Sequence, residues 1–123
     1  MSTDTLEQHD LAALSGALAD AYNNGDLDGV VNLFAEDGVF VNSDGSRFIG
    51  HDQIRQVTDR LFQSCTLSFD GQDIYMNEET GKVLLHWHLK ISDATRTSLL
   101  DGVDVLHWAN GKLGLPQKNW PIV

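Results

Sequence analysis

Apolar residues in the first half of the chain recur at the spacing of one helical face. The first such face consists of Leu11, Leu14, Leu18 and Tyr22. It predicts a long amphipathic helix that begins at a Thr5–Gln8 capping box and ends at Asn23-Asn24-Gly25. A second, shorter helix is predicted within GDLDGVVNLFAEDG, capped by Asp26 and ended by Asp37-Gly38. A third is predicted over about His51 to Phe62.

After the third helix the apolar positions alternate, which is the period of a strand. TLSFDGQDIYM, VLLHWHLKI and TSLLDGVDVLHW each predict a strand, and NEETGK and SDATR predict the turns between them. Gly71 predicts a bulge in the first of these strands, and Asn110-Gly111 predicts a hairpin after the last. A short strand at VFVN precedes the third helix. This order predicts an α+β domain with an antiparallel meander.

Size and charge narrow the classes of protein to consider. A chain of 123 residues suits one domain, spanning 1–123. The formal charge of −10 repels phosphate backbones and anionic membrane surfaces, so nucleic acid is not expected as a partner. No signal peptide is visible in MSTDTLEQHD, and no apolar run approaches the ~20 residues that span a bilayer. With one cysteine, Cys65, for which no catalytic role is expected, these features predict a cytoplasmic protein without a membrane partner.

The stretch LLDGVDVLHW contains an aspartate in an apolar setting. Strand alternation places Asp104 on the same face as Leu100, Leu106 and Trp108. Burial there would raise the pKa of the carboxyl and leave a neutral acid able to polarise a carbonyl or protonate a leaving oxygen. The structural alternative is an Asp104 bonded to backbone or hydroxyl groups, or exposed near a sheet edge. Asp101, three residues earlier, faces the opposite side, so no carboxylate dyad is predicted.

Three segments carry a resemblance to a known superfamily. YNNGDLDGVVNLFAEDGVFVNSDG, FIGHDQIRQ and GVDVLHWANGKL resemble the matching segments of the nuclear transport factor 2-like proteins, which include ketosteroid isomerase, limonene epoxide hydrolase and SnoaL-like polyketide cyclases. The resemblance covers almost the whole chain. It implies a cone-shaped roll in which a curved, mixed but mostly antiparallel sheet and three helices enclose a deep apolar pocket, commonly in a homodimer. Because this fold hosts both enzymes and binding modules, it does not define a function.

The resemblance also assigns positions for catalytic residues. In ketosteroid isomerase one Asp is the base, and a Tyr with a protonated Asp binds the oxyanion. The protonated Asp falls on Asp104, but the base falls on Asn42, which cannot accept a proton at neutral pH, and the Tyr falls on Leu18. Asp44, two residues after Asn42, could replace it as the base, but turn formation explains an aspartate in SDG better. The arginine of limonene epoxide hydrolase falls on Gly102. Neither mechanism is expected to apply unchanged.

The predicted site has Asp104 as its catalytic acid. The residues predicted to contact substrate are Tyr22, Asn42, Trp87, Leu89, Leu106 and Trp120. Trp87 and Leu89 face the pocket by the resemblance, and Trp120 lies in a tail that could act as a lid. Tyr22 lies on the apolar face of the first helix, where its hydroxyl is either a pocket donor or part of the core.

His86 and His88 present a different pattern. They share a strand face with Lys90, and this polar face indicates a solvent-exposed or dimer surface. The lysine cation disfavours a metal ion there. His107 shares a face with Asp101 and reads as a paired surface histidine. No metal or cofactor is therefore expected.

Two classes of function stay open. The first is an enzyme with Asp104 as general acid, assisted by Tyr22, Asn42 or His107, that isomerises, cyclises or dehydrates a small apolar carbonyl or hydroxyl compound. The second is a non-catalytic ligand-binding or dimerisation module, which the missing base and tyrosine favour. A protein-binding role has no specific surface patch to support it.

Overall fold

The structure, a computed structural model, describes residues 10–114 of the chain. The helices in this range are α1 (Leu11–Asn23), α2 (Leu27–Leu33) and α3 (Gly50–Ser64). A short antiparallel hairpin lies between α2 and α3, formed by β1 (Val39–Val41) and β2 (Arg47–Ile49). The remaining strands are β3 (Thr66–Asn77), β4 (Lys82–Ser92), β5 (Thr97–Ala109) and β6 (Lys112–Leu113). The predicted α+β class is confirmed, and β2 is the strand that the apolar pattern did not predict.

Aspartates cap the first two helices. Asp10 Oδ1 accepts a hydrogen bond from Ala13 N at 3.0 Å, and Asp26 Oδ1 accepts one from Gly29 N at 3.0 Å, so Asp26 caps α2 as predicted. The predicted Thr5–Gln8 capping box lies outside the described residues. The prediction that α2 ends at Asp37-Gly38 is wrong. The helix ends at Leu33 because Phe34 is extended and forms a parallel bridge with Leu113.

The four strands after α3 form one curved sheet in the order β3-β4-β5-β6. Neighbouring strands of this sheet are antiparallel, and the bridge between Phe34 and Leu113 adds one parallel pairing. The predicted bulge is present, since the register of β3 shifts between Gly71 and Asp73. The predicted hairpin is also present, with φ of 56° at Asn110 and 77° at Gly111, the left-handed conformations that a tight hairpin turn requires.

One face of this sheet packs against the helices, and we call it the inner face. The buried core there contains Leu11, Leu18, Ala21, Val30, Val31, Phe34, Ile54, Val83, Leu106, Trp108 and Leu113. Two sets of hydrogen bonds join α1 to this inner face. Trp108 Nε1 donates to the buried Ser15 Oγ at 3.1 Å, and the Asn23 amide exchanges bonds of 3.1 and 2.6 Å with the backbone of Phe69. These bonds hold the first half of α1 over β5 and its last residue, Asn23, over β3.

Within residues 10–114, no helix is long and apolar enough to cross a membrane.

Candidate functional site

A cavity of about 400 Å³ lies between α1 and the inner face of β3, β4 and β5. This is the size of cavities that hold small organic ligands. Along α1 its wall contains the small residues Ala12, Gly16 and Ala19, whose short side chains leave space above the sheet. The polar groups of the lining are Ser15, Asp20, Tyr22, Asn23, Gln72, Asp73 and Asp104.

The structure brings Asp104, Tyr22 and Trp87, three of the residues named from the sequence, together on this cavity. Leu89 and Leu106 are 7% and 8% exposed and lie outside the lining, and Leu106 belongs to the core. Asn42 is also outside the lining, because it builds the turn between β1 and β2, where its Oδ1 accepts from Ser43 N at 2.9 Å. Trp120 lies outside the described residues.

Asp104 lies opposite Leu85 of β4, which in turn lies opposite Ile74 of β3. These apolar neighbours desolvate the carboxyl and raise its pKa. The indole N–H of Trp87 opposes this effect and lowers the pKa of Asp104, as a donor to the carboxylate does. That contact falls short of full hydrogen-bonding geometry, since the buried Trp87 Nε1 has no partner at such geometry among the described residues. Burial therefore shifts the Asp104 carboxyl toward its neutral form.

Tyr22 reaches the same cavity from α1. Burial raises the pKa of its hydroxyl, and the negative charge of Asp104 raises it further. The hydroxyl therefore keeps its proton at neutral pH. The Tyr22 ring contacts two other aromatic rings, with centroid distances of 6.1 Å to Phe62 and 5.6 Å to Phe69. The Phe69 ring in turn lies 5.3 Å, centroid to centroid, from Trp87. Tyr22 is thus a pocket group next to Asp104.

Trp87 lies between two glycines, with Gly71 of β3 and Gly102 of β5 opposite it in the register. A Cβ atom at Gly102 would lie 2.4 Å from Cη2 and 2.6 Å from Cζ2 of the indole. The ring therefore lies directly over the Gly102 backbone. The position that resembles the arginine of limonene epoxide hydrolase is covered by this ring, so the acid has an aromatic neighbour in its place.

The apolar pattern missed Asp20 and Ser15, which also line the cavity. The pattern selected the core-facing side of α1, whereas the cavity is bounded by the adjacent side, where small residues recur at positions 12, 16 and 19. A row of small residues beside an apolar face was the available signal for a cavity wall.

Three other residues considered from the sequence lie away from the cavity. Asp44 Oδ1 accepts from Ser46 N at 2.8 Å in the β1–β2 turn, and His107 Nε2 bonds Thr80 O at 2.7 Å. Burial, with the charge of Asp93, raises the pKa of the Cys65 thiol, which makes it a weaker nucleophile at neutral pH. None of these three residues lines the cavity.

The opposite side of the sheet, which we call the outer face, holds a group of metal-ligating residues. His86, His88 and Asp101 each offer one ligand atom, and these atoms lie within 4.8 Å of one another. Strand alternation separates this group from the cavity, because Trp87 and Gly102 point to the inner face.

Comparison with known proteins identifies the family. A sequence profile of the SnoaL-like domain matches residues 15–113, so the chain belongs to that family. No curated protein matches the chain in sequence. The predicted relation to the nuclear transport factor 2-like superfamily is confirmed by this match and by solved structures of that fold.

Solved structures with a similar fold have diverse descriptions. An LEH-like epoxide hydrolase from Mycobacterium tuberculosis has a TM-score of 0.74 and 18% identity, over 88% of this chain and 77% of that one. A protein with a ketosteroid isomerase-like fold from Catenulispora acidiphila, in complex with trimethylamine, has a TM-score of 0.74 and 16% identity, over 81% of this chain and 78% of that one. A candidate polyketide cyclase from Xanthomonas campestris pv. campestris has a TM-score of 0.72 and 22% identity, over 87% of each chain. At these identities the similarity shows the fold alone.

Proposed function

We propose that the protein is an acid–base enzyme that acts on a small, largely apolar carbonyl or hydroxyl compound, with Asp104 as the proton donor. The observation that carries this proposal is the meeting of Asp104 and Tyr22, from β5 and α1, on one largely apolar cavity. Isomerisation, aldol-type cyclisation and dehydration each move a proton next to a carbonyl group and develop negative charge on its oxygen.

Two proton donors at one oxygen suit this chemistry. The pKa of Asp104 and that of Tyr22 are both raised, which favours the protonated, hydrogen-bond-donating form of each group. A tyrosine and a protonated aspartate stabilise the oxyanion in ketosteroid isomerase in this way. Here the matching tyrosine position is Leu18, which is in the core, and Tyr22 is one helical turn further along α1. We infer that Tyr22 supplies the second donor.

The reaction also needs a group that accepts the proton from carbon. Asp20 and Asp73 are the other carboxylates among the described residues of the lining. The Asp73 carboxylate lies 3.3 Å from His86 Nδ1 on the outer face, which leaves Asp20. We therefore assign the role of base to Asp20.

The proposal is tested with 2-tetralone, an apolar ketone with exchangeable α-protons, followed by NMR in D₂O. The base removes an α-proton, and the ketone becomes an enol or enolate whose oxygen is held by Asp104 and Tyr22. The base exchanges its proton with D₂O, and the reverse step places deuterium on the α-carbon. We expect Asp104→Asn to slow the enzyme-catalysed exchange by about 100-fold, the scale of a lost general acid. Tyr22→Phe and Asp20→Asn should also slow it. Asp70→Asn, at an exposed position of β3 outside the lining, is the matched control and should not.

Two results would contradict the proposal. Exchange that is unchanged in Asp104→Asn would remove the acid from its role. Binding of 2-tetralone, seen by quenching of tryptophan fluorescence, together with exchange no faster than in buffer would instead support the non-catalytic ligand-binding module.

We further propose that the chain forms a homodimer through one end of the outer face, next to the turn between β3 and β4, and acts in the cytoplasm. Tyr75, Leu84 and Val105 are exposed and lie opposite one another across three strands, which gives a contiguous apolar surface. A free thiol at Cys65 is compatible with a reducing compartment. Sedimentation equilibrium should give a dimer that Val105→Lys converts to a monomer. A wild-type chain that sediments as a monomer would refute the association.

A further inference from the structure

The group on the outer face is assembled by two neighbouring strands. His86 and His88 are two residues apart on β4 and therefore point to the same side, and Asp101 of β5 lies opposite His88 in the register. The His86 and His88 rings meet edge to face, with centroids 5.6 Å apart. The side chains of His88 and Asp101 are 56% and 68% exposed, so an ion can reach them from solvent.

We propose that His86, His88 and Asp101, none of which lines the cavity, bind a Zn²⁺ ion independently of the proposed reaction. Imidazole nitrogen and carboxylate oxygen are both ordinary zinc ligands, and two histidines with one carboxylate form a recognised three-residue set that leaves one position for water.

Two of the three distances among the ligand atoms are close to the spacing that a zinc ion requires. Around a tetrahedral zinc ion with bonds of about 2.0–2.1 Å, neighbouring ligand atoms lie about 3.3 Å apart. His88 Nε2 lies 3.4 Å from Asp101 Oδ1, and His86 Nε2 lies 2.7 Å from the same oxygen. The first distance fits as it stands. The second needs to open by about 0.6 Å, which rotation of an exposed carboxylate can provide.

A second carboxylate orients one of the ligands. Asp73 Oδ2 lies 3.3 Å from His86 Nδ1, on the side of the ring away from Asp101. A carboxylate in this place accepts a hydrogen bond from Nδ1–H and leaves the Nε2 lone pair for the metal, as is usual for zinc-binding histidines. The bulge in β3 makes the contact, because the register passes from Gly71 opposite Trp87 to Asp73 opposite His86 and omits Gln72.

Protons compete with zinc for this site. Asp101 and Asp73 raise the pKa of His86, and a protonated imidazole must lose its proton to bind zinc. The other titratable side chains on the same face near His86 are Asp70 and His88, which lie opposite one another, and Lys90, two residues beyond His88. Three carboxylates against one lysine favour a cation. Zinc affinity should therefore fall as the pH falls.

The test is titration of the chelator-treated protein with Co²⁺, followed by its visible absorption, and with Zn²⁺, followed by calorimetry. We expect one ion per chain. His86→Ala and His88→Ala should each weaken binding at least about tenfold, and Asp73→Asn, which removes only the orienting group, by about 10- to 100-fold. His107→Gln removes a histidine from the same strand as Asp101 but outside the group, and should keep the wild-type affinity.

Equal affinity in the wild type and in both histidine variants would overturn the site, as would a wild-type protein that binds neither ion. Far-UV circular dichroism checks that each variant is folded. If a histidine variant fails to fold, Asp101→Asn, a near-isosteric change at an exposed position, gives the same decision. Unchanged zinc binding in Asp104→Asn is expected, and a loss there would place the ion in the cavity and refute the proposal.

Discussion

The inner and outer faces of β4 and β5 are formed by alternate residues of the same two strands, yet they create opposite environments for two aspartates. Asp104 on the inner face is desolvated beside Leu85 and Trp87. Asp101 on the outer face is 68% exposed and contacts two histidines. The inner carboxyl has its own pKa raised by burial, whereas the outer one raises the pKa of its partner His86.

This difference shows that a carboxyl acquires its chemistry from what surrounds it. Where water is excluded and no cation is near, the neutral acid is favoured and the group becomes a donor. Where water and imidazoles are present, the carboxylate is a charge partner and a metal ligand. Three residues of spacing on a strand are enough to separate the two roles, because side chains alternate between faces.

The largest expected effect compares two adjacent residues of β5. Leu106→Ala removes a core side chain that is 8% exposed and should lower the free energy of unfolding by about 2–5 kcal/mol. Val105→Ala, 44% exposed on the outer face, should lower it by less than about 1 kcal/mol. Urea denaturation at a concentration low enough to keep the chain monomeric measures both. Equal losses would mean that the two faces are equally buried, which would end the comparison.

A smaller effect is expected at Gly102, where the inner face has no room. Gly102→Ala forces its Cβ into the Trp87 indole and should cost about 1–3 kcal/mol through overpacking, with a change in tryptophan fluorescence. Gly16→Ala is the matched control, because a Cβ there meets nothing within 4 Å on a helix. That change should stabilise the fold by about 0.5–1 kcal/mol. A neutral Gly102→Ala would show that the ring is not fixed over this backbone.

The pH dependence of Asp104 should have a definite sign. Its folded-state pKa lies above the ordinary value of 3.8, so ionisation is easier in the unfolded chain and destabilises the fold as the pH rises above that value. Asp104→Asn should therefore be more stable than wild type at neutral pH, and this advantage should disappear below about pH 4. Urea midpoints across the acid range measure it. An advantage that persists in acid would come from packing and not from charge.

His86 on the outer face should show a smaller dependence at higher pH. Its folded-state pKa lies above the ordinary 6.5, so its contribution to stability is complete below that pH and is lost as the pH rises through the folded-state value. Asp101→Asn, which removes the main cause of the shift, should flatten the stability profile in this window. Urea midpoints from about pH 5 to about pH 8, with chelator present, provide the comparison. An unchanged profile would show that the Asp101 contact contributes nothing in solution.

Local patterns predicted most of the secondary structure. Helical spacing and the Asp26 cap located α1 and α2, alternation located β3 to β5, and Gly71 and Asn110-Gly111 indicated the bulge and the hairpin. The errors have non-local causes. The end of α2 depends on pairing with Leu113, almost eighty residues away in sequence, and β2 exists because it pairs with β1.

The candidate sites divide in the same way. Strand alternation by itself separated Asp101 from Asp104, because the direction of successive side chains is a property of the local backbone. Which cavity Asp104 faces, that Tyr22 and Asp20 reach it from α1, and that a register slip in β3 brings Asp73 to His86 were decided by the tertiary structure. Those contacts join residues from separate elements, and only helix docking and strand register, neither of which is encoded in any short stretch of sequence, fix their distances.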